Sequence, residues 1–240
     1  MHIPDGYIGP ITYGILWVVM IPIWLYAGYW LKNNLKDRQI PYLALAAAFS
    51  FVIMMFNVPI VGGSTGHAVG SALIAIILGP WVAVVTVSVA LIMQALLFGD
   101  GGITAIGANC FNMAFVMPFL AYYVYKFISG KTEITSNTRT LAAGVGGYVA
   151  LAAGAFFTAL ELGIQPALHT GADGVPLYMP YGLDVTIPAM MIEHLVLFCF
   201  VEAIITALAF AYIARYDPTI IFDYKGGQDK IRSAAPPAPA

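Results

Sequence analysis

Seven apolar stretches, with every lysine and arginine confined to alternate connections between them, leave this 240-residue chain few folds to choose from. The stretches lie near residues 11–31, 42–58, 67–78, 81–98, 103–128, 141–163 and 185–214. A helix that crosses a bilayer needs about 20 apolar residues. These runs are long or apolar enough to count as helices. Charged residues make up 9% of the chain, against about 25% in soluble domains. The sequence therefore predicts an all-α integral membrane protein of seven transmembrane helices over residues 1–216. The third stretch is short and stops at Gly79-Pro80, because proline has no amide proton to continue a helix.

Lys32, Lys36 and Arg38 follow the first stretch, and Lys126, Lys131 and Arg139 flank the connection after the fifth. Arg215, Lys225, Lys230 and Arg232 follow the seventh, which completes the ten basic residues. Basic loops stay on the cytoplasmic side, so the expected topology is N-terminus outside and C-terminus in the cytoplasm of a multi-pass cell-membrane protein. Residues 217–240, ending Ala-Ala-Pro-Pro-Ala-Pro-Ala, carry too little apolar surface to fold and read as a disordered cytoplasmic tail. Cys110 and Cys199 lie in apolar surroundings and read as small packing residues. A net charge of −2 names no partner beyond the bilayer, and no nucleic acid is expected.

This topology gathers the polar connections 57–66, 99–102 and 164–184 on the side of the N-terminus. The chain opens Met1-His2, with no basic, apolar leader of the kind a signal peptide needs, since the first lysine is Lys32. Met1-His2 is expected to be the mature terminus. Its α-amine, the His2 amide nitrogen and the His2 imidazole can close fused five- and six-membered rings around a metal ion. His67 follows the glycine-rich run Val61-Gly62-Gly63-Ser64-Thr65-Gly66, and irregular backbone at membrane depth persists only where it lines a cavity or packs in protein. With His67 the set reaches four nitrogen donors. A planar nitrogen set suits nickel(II) or copper(II) and lacks the thiolates or third histidine of a zinc site. Ten methionines, among them Met54-Met55 and Met190-Met191, show no ligand spacing and read as packing.

The opening Met1-His2-Ile3-Pro4-Asp5-Gly6, the Gly62-to-His67 loop and the turn Phe98-Gly99-Asp100-Gly101-Gly102 together resemble the CbiM/NikM family. These are the substrate-binding membrane subunits of energy-coupling factor transporters for cobalt and nickel. The resemblance implies a six-helix core plus one added N-terminal helix, with the N-terminal segment folded back into the metal site. It puts the ligands at Met1, His2 and His67. It also implies partners: a membrane coupling component, cytoplasmic ATPases and often a small accessory membrane subunit. The chain has no Gly-x-x-x-x-Gly-Lys-Ser/Thr loop, so it is expected to bind no ATP itself, and Ni2+ or Co2+ is cargo, nickel slightly favoured.

Ser64, Thr65, Asn109 and Asn112 are candidates for orienting the ligands, the two asparagines sharing a helical face beside His67. Gln94, Glu161, Glu193, His194 and Glu202 also lie in apolar stretches, where an ionisable group is a functional candidate because a buried charge costs at least ~2.5 kcal/mol. Hydrogen bonding that holds the fold accounts for them equally. His169, in the outer connection, is either a way-point for entering metal or an ordinary loop residue. Ala44, Ala46, Ala47, Ala48 and Ser50 offer a close approach to a partner helix or to a neighbour in the same chain. Two other functions compete: an ion-coupled carrier working alone, with Glu193, His194 or Glu202 as proton relay, and an intramembrane metalloenzyme. No His-Glu-x-x-His helix supports the enzyme, and no internal repeat supports the carrier.

Overall fold

The computed structural model describes residues 1–35, 39–60 and 64–224. Among them are seven helical runs of eight residues or more. These are α1 (Pro10–Asn34), α2 (Ile40–Met54), α3 (Ser71–Leu78), α4 (Pro80–Phe98), α5 (Ile106–Ser129), α6 (Asn137–Gly163) and α7 (Leu183–Tyr216). Five of them, α1 and α4 to α7, are long and apolar enough to cross a membrane. At 1.5 Å per residue, α2 covers about 22 Å and α3 about 12 Å, so neither reaches across a ~30 Å hydrocarbon layer by itself.

Two departures from the expected pattern surround the connection after α2. The helix ends at Met54, four residues early, because Val58–Ile60 forms a strand, β1, that pairs antiparallel with β2, Ser64–Gly66. The fold is therefore not purely α. Pro59 has no amide to donate, and β-branched Val58 and Ile60 favour the extended backbone. The second departure is that α3 begins at Ser71, leaving residues 67–70 as irregular backbone. Gly62 and Gly63, and the basic residues Lys36 and Arg38, lie outside the described residues.

Proline occupies the first turn of α1, α2 and α4, where its missing N–H leaves no bond unmade. Between α3 and α4, Gly79 takes φ +98°, a conformation that side chains rarely adopt, and this lets one helix end and the next begin at Pro80. Both α5 and α7 contain a π-helical stretch, Phe111–Val116 and His194–Phe198.

Helix α6 is the spine. Its inward face is a run of small residues that includes Ala142, Ala143, Gly146, Gly147, Ala150 and Gly154. A Cβ on Gly146 would stand 2.8 Å from the Ala121 carbonyl oxygen of α5, and one on Gly147 3.1 Å from Thr206 Oγ1 of α7. Helices in lipid associate through such close approach rather than through hydrophobic expulsion. On α2, Ala46 and Ser50 face inward while Ala44 and Ala48 remain exposed.

The first residues of the expected tail fold back against the bundle. Pro218–Ile220 forms a 3-10 turn, Ile221 is buried, and the Phe222 amide donates to the Ile77 carbonyl at the end of α3 (2.8 Å). Tyr122 donates to the Asp223 carboxylate, which also lies 3.7 Å from Lys126. Apolar Ile220, Ile221 and Phe222 supply what the composition of residues 217–240 as a whole lacks. Residues 225–240 lie outside the described residues.

Gly146→Val tests the spine. Forcing atoms against a backbone carbonyl in a packed interior costs about 1–3 kcal/mol, so the melting midpoint of the purified protein in detergent should fall by several degrees. An unchanged midpoint would mean that α5 and α6 do not approach as described.

Candidate metal centre

The chain's first nine residues fill a cleft between β2, α4, α5 and the connection after α6. A polar segment can lie there only if its backbone groups are answered by protein. Ile3 is held on both sides: its amide donates to Asn109 Oδ1 (2.9 Å), and its carbonyl accepts from Asn109 Nδ2 (3.2 Å) and the Gly102 amide (2.8 Å). The Asp5 carboxylate accepts from the amides of Ile103 (3.0 Å) and Thr104 (2.9 Å). Farther along, the Gly9 amide donates to Gln165 Oε1, and the Met179 amide to the Tyr7 carbonyl. Met1 and Ile3 are completely buried, and His2 is 2% exposed.

His67 arrives from the opposite direction. After β2 the chain runs irregularly through Ala68, Val69 and Gly70, and its amides are caught by one side chain. Glu202 of α7 accepts from the Val69 amide (2.8 Å) and the Gly70 amide (3.0 Å), and the Ser50 hydroxyl donates to the Val69 carbonyl (2.8 Å). The His67 and His2 rings then stack, with centroids 4.6 Å apart and planes inclined by 28°. The Met1 amine donates to the Thr65 carbonyl and lies 3.3 Å from Thr65 Oγ1. Three nitrogen-bearing groups, Met1, His2 and His67, thus meet in one buried place.

The hydrogen bonds fix which nitrogens carry lone pairs. Gln94 Nε2 donates to the Phe51 carbonyl (3.3 Å), which turns Oε1 toward His2, where it accepts from Nε2–H (3.2 Å). In that tautomer His2 Nδ1 holds the lone pair, 3.3 Å from Asp100 Oδ1. It is also the nitrogen that closes a six-membered ring with the His2 amide. A cation there would answer both the lone pair and the carboxylate. His67 Nδ1–H donates to the Ala68 carbonyl (3.0 Å), so its lone pair is on Nε2, which among the described residues has no hydrogen-bond partner.

Burial also strips protons from the donors. It holds the Met1 amine down at about 4, with nearby Asp100 opposing, and His2 down at about 3, helped by the amine's charge. His67 lies well below its ordinary range, first through burial and then through the charges of the amine and His2. Neutral nitrogens are the form that binds metal. Among the described residues no group of three His, Cys, Asp or Glu side chains forms a ready cage, so a metal here would need the amine.

The remaining candidates fall elsewhere. Thr65 holds the amine; the Ser64 side chain lies outside what the structure describes. Asn109 clamps Ile3, and Asn112 donates to Thr158 Oγ1 (3.1 Å) and Glu161 Oε2 (2.8 Å), so neither asparagine hydrogen-bonds His67. His169 packs its ring against Gly9 and Tyr178 in the outer connection. His194 lies buried in α7, and Glu193 is half-buried beside it. Asp5 and Asp100 also line the candidate centre, although neither stood among the candidates. Their signal was the recurrence of aspartate beside glycine in Asp5-Gly6 and Asp100-Gly101.

The family described as CbiM, cobalt uptake substrate-specific transmembrane region, matches residues 2–220. A fused nickel transport protein, NikMN, of Rhodobacter capsulatus is 47% identical over 221 residues, 92% of this chain, and the chain spans 64% of that protein's length. A putative metal transport protein of Methanocaldococcus jannaschii is 45% identical over 92% of this chain and 94% of its own. The crystal structure of a transition metal transporter superposes with a TM-score of 0.88 at 44% identity, covering 98% of this chain and all of that one.

Two outcomes test this geometry. Gly101 has φ +88°, and a Cβ on it would stand 3.0 Å from Asn109 Nδ2 and 3.3 Å from His2 Cδ2. Gly101→Ala should therefore weaken metal binding by about 10–100-fold, the usual effect of disturbing the groups that orient a ligand, in a protein that still folds. The second concerns acid. The ordinary values of the amine and imidazole are 8.0 and 6.5, and the docked groups stand at about 4 and about 3. Between those limits the undocked segment binds protons that the docked one does not, so docking weakens as pH falls through that window. Exchange protection of the Ile3 amide, corrected for intrinsic rate, should drop steadily from pH 8 toward pH 4. Constant protection would contradict a neutral, buried amine.

Proposed function

Because this chain belongs to the CbiM family of nickel and cobalt transport membrane proteins, we propose that it is the metal-capturing subunit of an ATP-driven energy-coupling factor importer for Ni2+ or Co2+. The observation that carries this reading is the meeting of the buried Met1 amine with the stacked imidazoles of His2 and His67. The amine, the His2 amide nitrogen once deprotonated, His2 Nδ1 and His67 Nε2 would supply the four nitrogens. The first three are tied into two fused rings, which favours a plane and so nickel over cobalt. Asp100 balances charge beside them, and Gln94 keeps the His2 tautomer.

In this reading all seven helical runs contribute to the membrane domain, α2 and α3 as short elements packed within it. The N-terminus faces outside and the basic connections face the cytoplasm. Among the described basic residues, Lys32, Lys126, Arg139 and Arg215 lie at those helix ends. Energy comes from partners, a membrane coupling component and cytoplasmic ATPases, since the sequence has no phosphate-binding loop of its own. The Rhodobacter relative is a fused nickel transport protein, which fits a subunit that works within an assembly.

The test is at the terminus. A peptide extension before Met1 turns the amine into an amide, and nickel binding by the purified protein should vanish while its melting midpoint holds. His2→Ala should be at least as damaging, and His67→Ala should abolish the planar nickel absorption band. A tagged protein with unchanged affinity would sink the chelate. Nickel uptake by vesicles containing this chain alone would instead make it an independent carrier.

A further inference from the structure

A second histidine in the bundle has a buried nitrogen with nothing to meet it. His194 opens the π-helical stretch of α7, where the helix accommodates an extra residue in its turn. Such insertions re-aim side chains and recur at functional positions. The ring is fully buried. Its Nδ1–H donates to the Met190 carbonyl at 2.7 Å, which puts the lone pair on Nε2, and among the described residues Nε2 has no hydrogen-bond partner.

His67 carries the same signature, with Nδ1–H given to a carbonyl and Nε2 buried and unpartnered. Packing joins the two stretches: Gly66, the residue before His67, lies against the Phe198 ring, which is 5.5 Å from the ring of His194. Two buried acids of the bundle are already engaged. Glu202 is spent on the Val69 and Gly70 amides, and Glu161 accepts from Asn112. Glu193 is adjacent in sequence to His194 and so points about 100° away around the helix.

We propose that His194 is a further metal ligand, its Nε2 taking the ion from His67 as the ion passes from the Met1–His2–His67 centre into the bundle. This rests on the capture function proposed above. The step is a ligand exchange between two neutral imidazole nitrogens. No electron moves, and both Nδ1–H bonds stay in place. At rest the ion keeps its four nitrogens; in passage His194 supplies a donor from α7, where its Nε2 is buried and has no hydrogen-bond partner among the described residues.

Two variants separate ligand from scaffold. His194→Asn keeps an N–H for the Met190 carbonyl and removes the ring nitrogen; His194→Cys supplies a ligand and removes that donor. Cells carrying the complete transporter are given radioactive nickel, and the purified membrane subunit is titrated with Ni2+. Both variants should bind Ni2+ with wild-type affinity and an unchanged planar band. Uptake should fall by about tenfold or more in His194→Asn, as expected for a lost metal contact, and recover in part in His194→Cys. Normal uptake in His194→Asn, no recovery in His194→Cys, or a loss of uptake matched by lost affinity each overturns the proposal. If wild-type protein does not bind Ni2+, or His67→Ala binds it normally, the capture reading fails first, and the transit role falls with it.

Discussion

A chain terminus placed inside a membrane bundle brings with it amides, carbonyls and an amine that no lipid can solvate. Everything around the candidate centre follows from answering them. Asn109 returns both backbone bonds of Ile3, and Asp5 closes on the amides of residues 103 and 104. Glu202 performs the same service for the opposing stretch through the Val69 and Gly70 amides. The answers come from α5, from α7 and from the segment's own Asp5 against the connection between α4 and α5, so the centre exists only when these elements are assembled around it. Unsatisfied, a single buried group of this kind costs about 1–3 kcal/mol, and several together would expel the segment.

Small residues make the rest possible. With glycine at 146 and 147, α6 draws α5 and α7 to backbone contact. The bulky side chains are left for the outside, where Phe127, Leu208 and Tyr216 stand exposed in the way expected of a lipid-facing surface. Hydrophobicity here says where the protein lives; shape says how its helices meet.

The sequence carried the long helices openly, because runs of 19 or more apolar residues such as Pro80–Phe98 admit one reading. It also brought Met1, His2 and His67 under suspicion, since each is a nitrogen donor beside glycine or at the terminus. The hairpin was hidden: Val58-Pro59-Ile60 continues the apolar character of α2, and only the pairing with residues 64–66 makes it a strand. Asn109 and Asn112 were visible as a polar pair on one face, but a face does not disclose a partner. One found the Ile3 backbone and the other Glu161, neither of them His67. Gln94 was likewise visible as a residue, while its task, holding one tautomer of His2, depends on the Phe51 carbonyl of a helix forty residues away in the chain. Residues 217–224 misled in the other direction, since Ile221 and Phe222 were averaged away by the proline- and alanine-rich sequence after them.

The shortest helix has the most demanding position. At its start, α3 follows Gly70, whose amide is gripped by Glu202; at its end, the Ile77 carbonyl receives the Phe222 amide. Two turns of helix are too stubby to bend or stretch, so α3 behaves as a strut pinned at both ends. The stretch that carries His67 and the segment docked after α7 are thereby tied to the two ends of one short helix.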